Sequence, residues 1–285
     1  MKKLLALILS ALLISTAFAG PPTIRNFSTI STNRSSPSTQ TIPQPTVGDE
    51  FVVFIFAFSL ITTGLSDSAG NTCTTFGGAQ DSNGNWVNVF TCPVTVAGGA
   101  TDTFTSTNGG VIQINDLEGV ASSSQIDGTF KSGTFSGSAG GTLTASGLTT
   151  TFADDLILSG AIDQNNATGA LTANTGTMVT SAQPSGANGA DANAVQQHSV
   201  TSTGTYAEAF TMAASSGQTA VIGVVAIKGT ATGGSCTHQG YTSGGALATP
   251  NGTSGSYLGK TGGYVTPDCS TVNYWSPATG NFVVN

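Results

Sequence analysis

From Glu50 the chain runs Phe51-Val52-Val53-Phe54-Ile55-Phe56 without a polar interruption, and the apolar character extends to Ile61. A strand with one wet face alternates, so an unbroken run of this length predicts a central strand buried on both faces. Asn85 to Val96 does alternate. It puts Trp86, Asn88, Phe90 and Cys92 on one side and Val87, Val89, Thr91 and Pro93 on the other, with Trp86 expected in the core. Val111-Ile112-Gln113-Ile114, Leu156-Ile157-Leu158 and the run Ala220 to Ile227 predict further core strands. Clusters of Gly, Ser, Thr, Asn and Asp separate them at turn-like spacing. Helical periodicity is nearly absent, and Ala187 to Gln197 is read as one short helical turn.

Many strands divided by polar turns predict an all-β fold, an antiparallel two-sheet β-sandwich of the jelly-roll-like size class, spanning about residues 20–230. No repeat of fixed period stands out, which excludes a solenoid. After Ile227 the composition shifts. Gly229 to Ser235 reads as a Gly/Thr linker, and residues 231–285 hold four of the five tyrosines with many glycines and few aliphatics. Such a segment builds only a small module and calls for a covalent staple.

Before these strands lies a segment of another kind. Lys2 and Lys3 precede an apolar stretch from Leu4 to about Ile14, and Ala17-Phe18-Ala19 follows as a small-x-small cleavage pattern. This is the pattern of a secretory signal peptide over residues 1–19, too short for a membrane span. Export is therefore expected, to the cell surface, the extracellular space or the periplasm. Charged residues make up only 7% of the chain and the net charge is −7, before Lys2 and Lys3 leave with the signal. A sparse acidic surface does not suit nucleic acid, which is held by clustered Lys and Arg. Polysaccharide, other extracellular protein subunits or further copies of the chain are easier partners.

Cys73, Cys92, Cys236 and Cys269 are an even set in an exported chain, which reads as two disulfides. Three pairings exist, and proximity favours Cys73–Cys92 and Cys236–Cys269. The first pair flanks Asn83-Gly84 and would staple neighbouring strands. The second would close the C-terminal module.

Several short patterns occur in order. They are Gly48-Asp49-Glu50-Phe51-Val52-Val53, Asp67-Ser68-Ala69-Gly70-Asn71-Thr72, Asp116-Leu117-Glu118-Gly119-Val120, Gln125-Ile126-Asp127-Gly128-Thr129, Thr151-Phe152-Ala153-Asp154-Asp155-Leu156-Ile157 and Ala226-Ile227-Lys228-Gly229. Over about residues 22–230 the set resembles a β-sandwich module that recurs in exported bacterial multidomain proteins and in phage structural proteins. The resemblance implies a sandwich used for attachment, display or carbohydrate contact, and carries no catalytic residues across. Cys73 departs from it, standing where an aromatic or aliphatic is commoner. By their own chemistry Gly70 and Asn71 are turn-formers.

Candidate sites follow from residue chemistry. Tyr241, Tyr257, Tyr264, Tyr274 and Trp275 can form an aromatic platform for sugar C–H faces, or a miniature core for the C-terminal module. Asp81, Asn83 and Asn85 offer alternating oxygens to a structural calcium, the one cofactor considered, although Asn83-Gly84 is equally a hairpin turn and the late Glu of an EF-hand is missing. Asp116 with Glu118, or Asp154 with Asp155, are the carboxylate pairs a polysaccharide hydrolase would need. His198 reads as a surface strand residue. His238 with Cys236, Asp268 and Cys269 can hold zinc, in competition with a disulfide beside a bystander histidine. No Gly-x-Ser-x-Gly elbow occurs. The expectation is a non-enzymatic exported surface or matrix protein acting in adhesion or glycan binding. The alternative is a structural subunit of an extracellular filament or coat, to which residues 21–44 would donate a strand, and a hydrolase comes third.

Overall fold

The computed structural model describes residues 20–30, 36–122, 125–137, 140–164, 171–182, 191–214 and 217–230, together with four short strands beyond. The chain divides into two units, Met1–Thr230 and Ala231–Asn285. Among the described residues there is no helix.

The first unit begins with eight strands: β1 (Thr23–Phe27), β2 (Ser38–Pro43), β3 (Glu50–Ala57), β4 (Leu65–Asp67), β5 (Thr74–Gln80), β6 (Trp86–Pro93), β7 (Thr101–Ser106) and β8 (Val111–Glu118). They form a five-stranded sheet in the order β1-β8-β3-β6-β5 and a three-stranded sheet in the order β2-β7-β4. Eight more follow: β9 (Ile126–Gly137), β10 (Gly141–Thr150), β11 (Asp155–Gln164), β12 (Thr172–Ala173), β13 (Thr177–Ala182), β14 (Ala192–Val200), β15 (Gly204–Met212) and β16 (Gln218–Lys228). Their sheets run β9-β16-β11-β14-β13 and β10-β15-β12. Renumbered from one, the second half repeats the first strand for strand. Every ladder is antiparallel.

The expected single sandwich is thus two, and the apolar runs explain how they join. Alternation along β3 sends Phe51, Val53 and Ile55 into the first half, where they meet Phe90, Phe104, Ile112 and Ile114. It sends Val52, Phe54 and Phe56 the other way, onto Leu156, Leu158, Ile162, Val221 and Val225 of the second half. The second half has its own interior of Leu143, Leu148, Ile157, Phe210 and Ile222. All eight residues of β3 are therefore buried, because its sheet is covered on both sides. Each such Phe, Ile or Leu contributes about 1.5–3 kcal/mol by leaving water.

The halves are also stitched at one end. Gly20 bridges Thr230 and Val120 bridges Gly229. The Thr230 N–H donates to Gly119 O at 2.8 Å, and the Gly229 N–H to Asp154 O at 2.9 Å. The third strand of each half is entered through a left-handed residue, Gly48 (φ 101°) or Asp154 (φ 66°), followed by an acid, Asp49 or Asp155. This local match is the clearest sequence trace of the repetition.

Three expectations are corrected. Residues 192–197 of the expected helical turn are extended in β14, where Ala192 to Val195 pair with β11 and lie buried. Trp86 is only partly buried. β3 ends at Ala57 instead of Ile61. The Cys73–Cys92 disulfide is formed and ties β6 to the residue before β5. β1 and β2, from the segment considered as a donor strand, pair with β8 and β7 of their own sheets.

In the second unit β17 (Gly240–Tyr241) pairs with β18 (Leu247–Ala248), and β19 (Asn273–Ser276) with β20 (Asn281–Val284). Cys236, His238, Asp268 and Cys269 lie outside the described residues.

Candidate functional site

Four polar clusters interrupt the apolar interior, and three of them place an acid where a strand or turn begins. At the entrance to β3, Asp49 and the fully buried Asp116 are bridged by Arg25 of β1. Arg25 Nη2 lies 2.8 Å and Nε 3.1 Å from Asp116 Oδ2, and Asn26 Nδ2 donates to the same oxygen at 3.1 Å. Asp49 also accepts the Thr46 N–H at 2.7 Å, which closes the turn. Burial, with the Asp116 charge close by, pushes Asp49 up to about 6 against the pull of Thr46 and Arg25.

The second half also sets two acids side by side, on other strands and with no arginine between them. Asp155, fully buried at the start of β11, stands beside Asp127 of β9. Asp127 accepts from Thr151 N at 2.6 Å, Thr151 Oγ1 at 2.7 Å and Phe152 N at 2.7 Å. Burial pushes Asp127 up, but these donors outweigh it and hold the group below the usual carboxylate range. Burial, then the bond to Asp127 and its charge, push Asp155 up to about 8. One acid raised and its neighbour lowered is the split expected of two carboxylates that share a site.

A third pair joins Asp67 and Asp102. Asp67 accepts from Gly70 N and Asn71 N at 2.7 Å each, and from Asn71 Nδ2 at 2.6 Å. Asp102 accepts from Ser68 N at 3.0 Å and Ser68 Oγ at 2.7 Å. Burial and the neighbouring Asp102 raise Asp67, although the Asn71 amide opposes them.

The fourth cluster is the one sequence reasoning did not assemble. His198 of β14 faces Glu208 of β15, with Nδ1 2.8 Å from Oε1. Thr175 Oγ1 donates to the other oxygen at 2.8 Å, and Gln196 Nε2 reaches it at 3.1 Å. Glu208 is buried, while the His198 side chain is 32% exposed. His198 is therefore a half-buried residue whose ring turns inward to Glu208, not a residue of the outer face.

The remaining candidates are placed as follows. Asp81 accepts from Asn83 N, Asn85 N and Asn85 Nδ2 at 2.7–2.9 Å, so local donors occupy it in the manner of a turn. Among the described residues no group of three or more His, Cys, Asp or Glu is arranged to hold a metal ion. Asp116 and Glu118 do not work on each other: Glu118 is exposed and accepts from Thr23 Oγ1 at 3.1 Å, while Asp116 belongs to Arg25. Asp154 and Asp155 likewise separate, Asp155 turning inward to Asp127. Tyr241 lies in β17, and Tyr274 and Trp275 in β19; Tyr257 and Tyr264 fall outside the described residues. Among the described residues no helix is long and apolar enough to cross a membrane.

The acid pairs were out of reach because Arg25 and Asp116 are 91 residues apart. A usable signal was Glu50, an acid opening an apolar run. It is buried on the same side as Val52 and Phe54, and burial pushes it up to about 8 against the Cys92 N–H. Comparison of the chain with protein-family models, curated proteins and solved structures finds no match.

Proposed function

We propose that this chain is an exported, non-enzymatic surface or matrix protein that attaches to glycan. In this reading residues 20–230 are a rigid scaffold of two jelly rolls, each with the strand order 1-8-3-6 against 2-7-4. Jelly rolls serve both lectin and coat proteins, so the fold alone does not choose between them. Tyr241, Tyr257, Tyr264, Tyr274 and Trp275 supply contact aromatics in the second unit.

The observation that carries the reading is how the acids are used. Asp116 is engaged by Arg25 and Asn26, Asp127 by Thr151, Phe152 and Asp155, and Glu208 by His198, Thr175 and Gln196. Carboxylates each engaged by neighbouring side chains or backbone favour a scaffold over a hydrolase, which needs two acids flanking a substrate.

The test is a pull-down of residues 20–285 on soluble and insoluble polysaccharides at two salt concentrations. Salt-insensitive binding to a subset of glycans, lost in Trp275→Ala, is expected. Release of reducing sugar would defeat the non-enzymatic assignment. Absence of binding to any glycan, with filaments in electron micrographs, would replace it with a self-assembling subunit.

A further inference from the structure

An asparagine followed by a glycine carries chemistry of its own. The side-chain carbonyl carbon of the Asn stands near the next backbone nitrogen, and a glycine there has no Cβ to hinder their approach. The chain has four such pairs, Asn83-Gly84, Asn108-Gly109, Asn188-Gly189 and Asn251-Gly252. The last two lie outside the described residues. The first two are held in opposite ways.

Asn108-Gly109 is pinned from several sides. Asn108 Nδ2 donates to Thr63 O at 3.0 Å, and the Thr107 N–H donates to Gly64 O at 3.0 Å. Gly109 is buried. Its N–H donates to Ser106 O at 3.3 Å, and its carbonyl accepts from the buried Ser106 Oγ at 2.8 Å. The next residue, Gly110, is hemmed in, since a Cβ built on it would stand 2.7 Å from Ile55 Cγ2. Asn108 Cγ and the Gly109 nitrogen cannot turn toward each other without breaking these contacts.

Asn83-Gly84 lies in the tip of the hairpin that joins β5 to β6. The Asp81 N–H donates to Asn85 O at 3.0 Å, and Gly84 (φ 90°) takes the left-handed place of a three-residue loop. Asn83 is exposed, and among the described residues its side-chain amide is held by no hydrogen bond. The Gly84 N–H reaches Asp81 O only at 3.4 Å. Around Gly84 there is room, the nearest atom to a Cβ built there being Gln80 Nε2 at 3.6 Å.

We infer that Asn83 is a site of spontaneous deamidation, with the Gly84 backbone nitrogen as its nucleophile, and that Asn108 is protected from the same reaction. The Gly84 nitrogen gives up its proton and bonds to Asn83 Cγ. The Cγ–Nδ2 bond breaks and ammonia leaves. Water then opens the cyclic imide. Breaking the new Cγ–N bond gives aspartate, and breaking the original peptide bond gives isoaspartate, whose backbone runs through the side-chain carbon. In sum an amide and water become a carboxylate and ammonia.

Either product sets a negative charge beside Asp81, whose carboxylate accepts from Asn83 N at 2.8 Å and Asn85 N at 2.9 Å. Isoaspartate also lengthens the loop by one carbon. The effect reaches the second half of the fold, because Asn85 Nδ2 donates to Asp81 Oδ2 at 2.7 Å and to Gln164 Oε1 at 3.0 Å. Deamidation at Asn83 therefore loosens a polar tie between the halves.

The test holds residues 20–285 at neutral pH and in mild alkali. Each Asn-Gly pair is followed by peptide mapping with electron-transfer fragmentation, which separates aspartate from isoaspartate. Position 83 is expected to accumulate both, faster in alkali because the attacking nitrogen must lose its proton, while Asn108 keeps its amide. The urea midpoint, read by tryptophan fluorescence, is expected to fall further on ageing in the wild type than in Asn83→Ser. An Asn83 that keeps its amide, or an Asn108 that converts as fast, overturns the assignment. Equal falls in the two proteins, with position 83 converted, overturn the link to the join between halves. The wild-type map decides the site even where Asn83→Ser does not fold.

Discussion

The ring of Phe54 in the first half fills the space that a side chain at Gly160 in the second would need. A Cβ built on Gly160 stands 2.3 Å from Phe54 Cδ1, well inside contact distance. Gly160→Ala is therefore expected to cost about 1–3 kcal/mol by overpacking the join. Adding Phe54→Leu should return part of that loss, because the two changes share one space. Urea midpoints of the two single variants and the double variant check this. Strictly additive losses would mean that the halves do not meet at this pair.

The Asp155–Asp127 pair predicts the direction of pH dependence. Asp155 is raised to about 8 in the folded protein and is near 3.9 when unfolded. Between these values the folded state holds a proton that the unfolded state has released, so this group's contribution is complete below about 4 and is lost as pH rises through about 8. Glu50, also at about 8, and Asp49, at about 6, act with the same sign. Asp127, held low, acts oppositely and is lost only in acid. Melting temperature should fall between pH 5 and 8, and Asp155→Asn should flatten the fall. A variant that tracks the wild type at every pH would remove Asp155 as a cause.

Arg25 is the bridge between two acids that would otherwise face each other in the interior. Breaking a buried pair costs about 3–5 kcal/mol, and a guanidinium that is a quarter exposed lowers the expectation to about 2–3 kcal/mol for Arg25→Met. The same variant should move Asp49 further up, which carbon-detected NMR of the carboxyl can follow. Asp116→Asn in the Arg25→Met background should recover stability, since one buried charge is then gone.

The Cys73–Cys92 bridge closes a loop with a sequence separation of 19. Replacing both cysteines by alanine is expected to cost about 3 kcal/mol, mostly by freeing the unfolded chain. Cys92 is fully buried, so a reductant should act slowly on the native protein and quickly once urea is added. Rapid reduction without urea would show that this corner of the first half opens on its own.

Much of the strand content was legible because the central residues of β3 and β16 are apolar on both faces, and few environments other than a doubly covered sheet accept that. The same property hid the duplication. A run buried on both sides states that two layers cover it, but not that one of them is a second copy of its own sheet. The Asn83-Gly84 turn and the first disulfide were visible as local chemistry. The pairings Arg25 with Asp116, Asp127 with Asp155 and His198 with Glu208 depend on register between strands, which no local pattern encodes.

The bridge between Gly20 and Thr230 has a mechanical side. Gly20 and Thr230 stand side by side, so tension applied between these two residues crosses that bridge and its few neighbouring hydrogen bonds before it reaches any long ladder. Load of this kind peels pairs one at a time instead of shearing a whole strand. The two sandwiches hang beside the line of force like a bead on a loop of thread, and keep their shape while the thread is pulled.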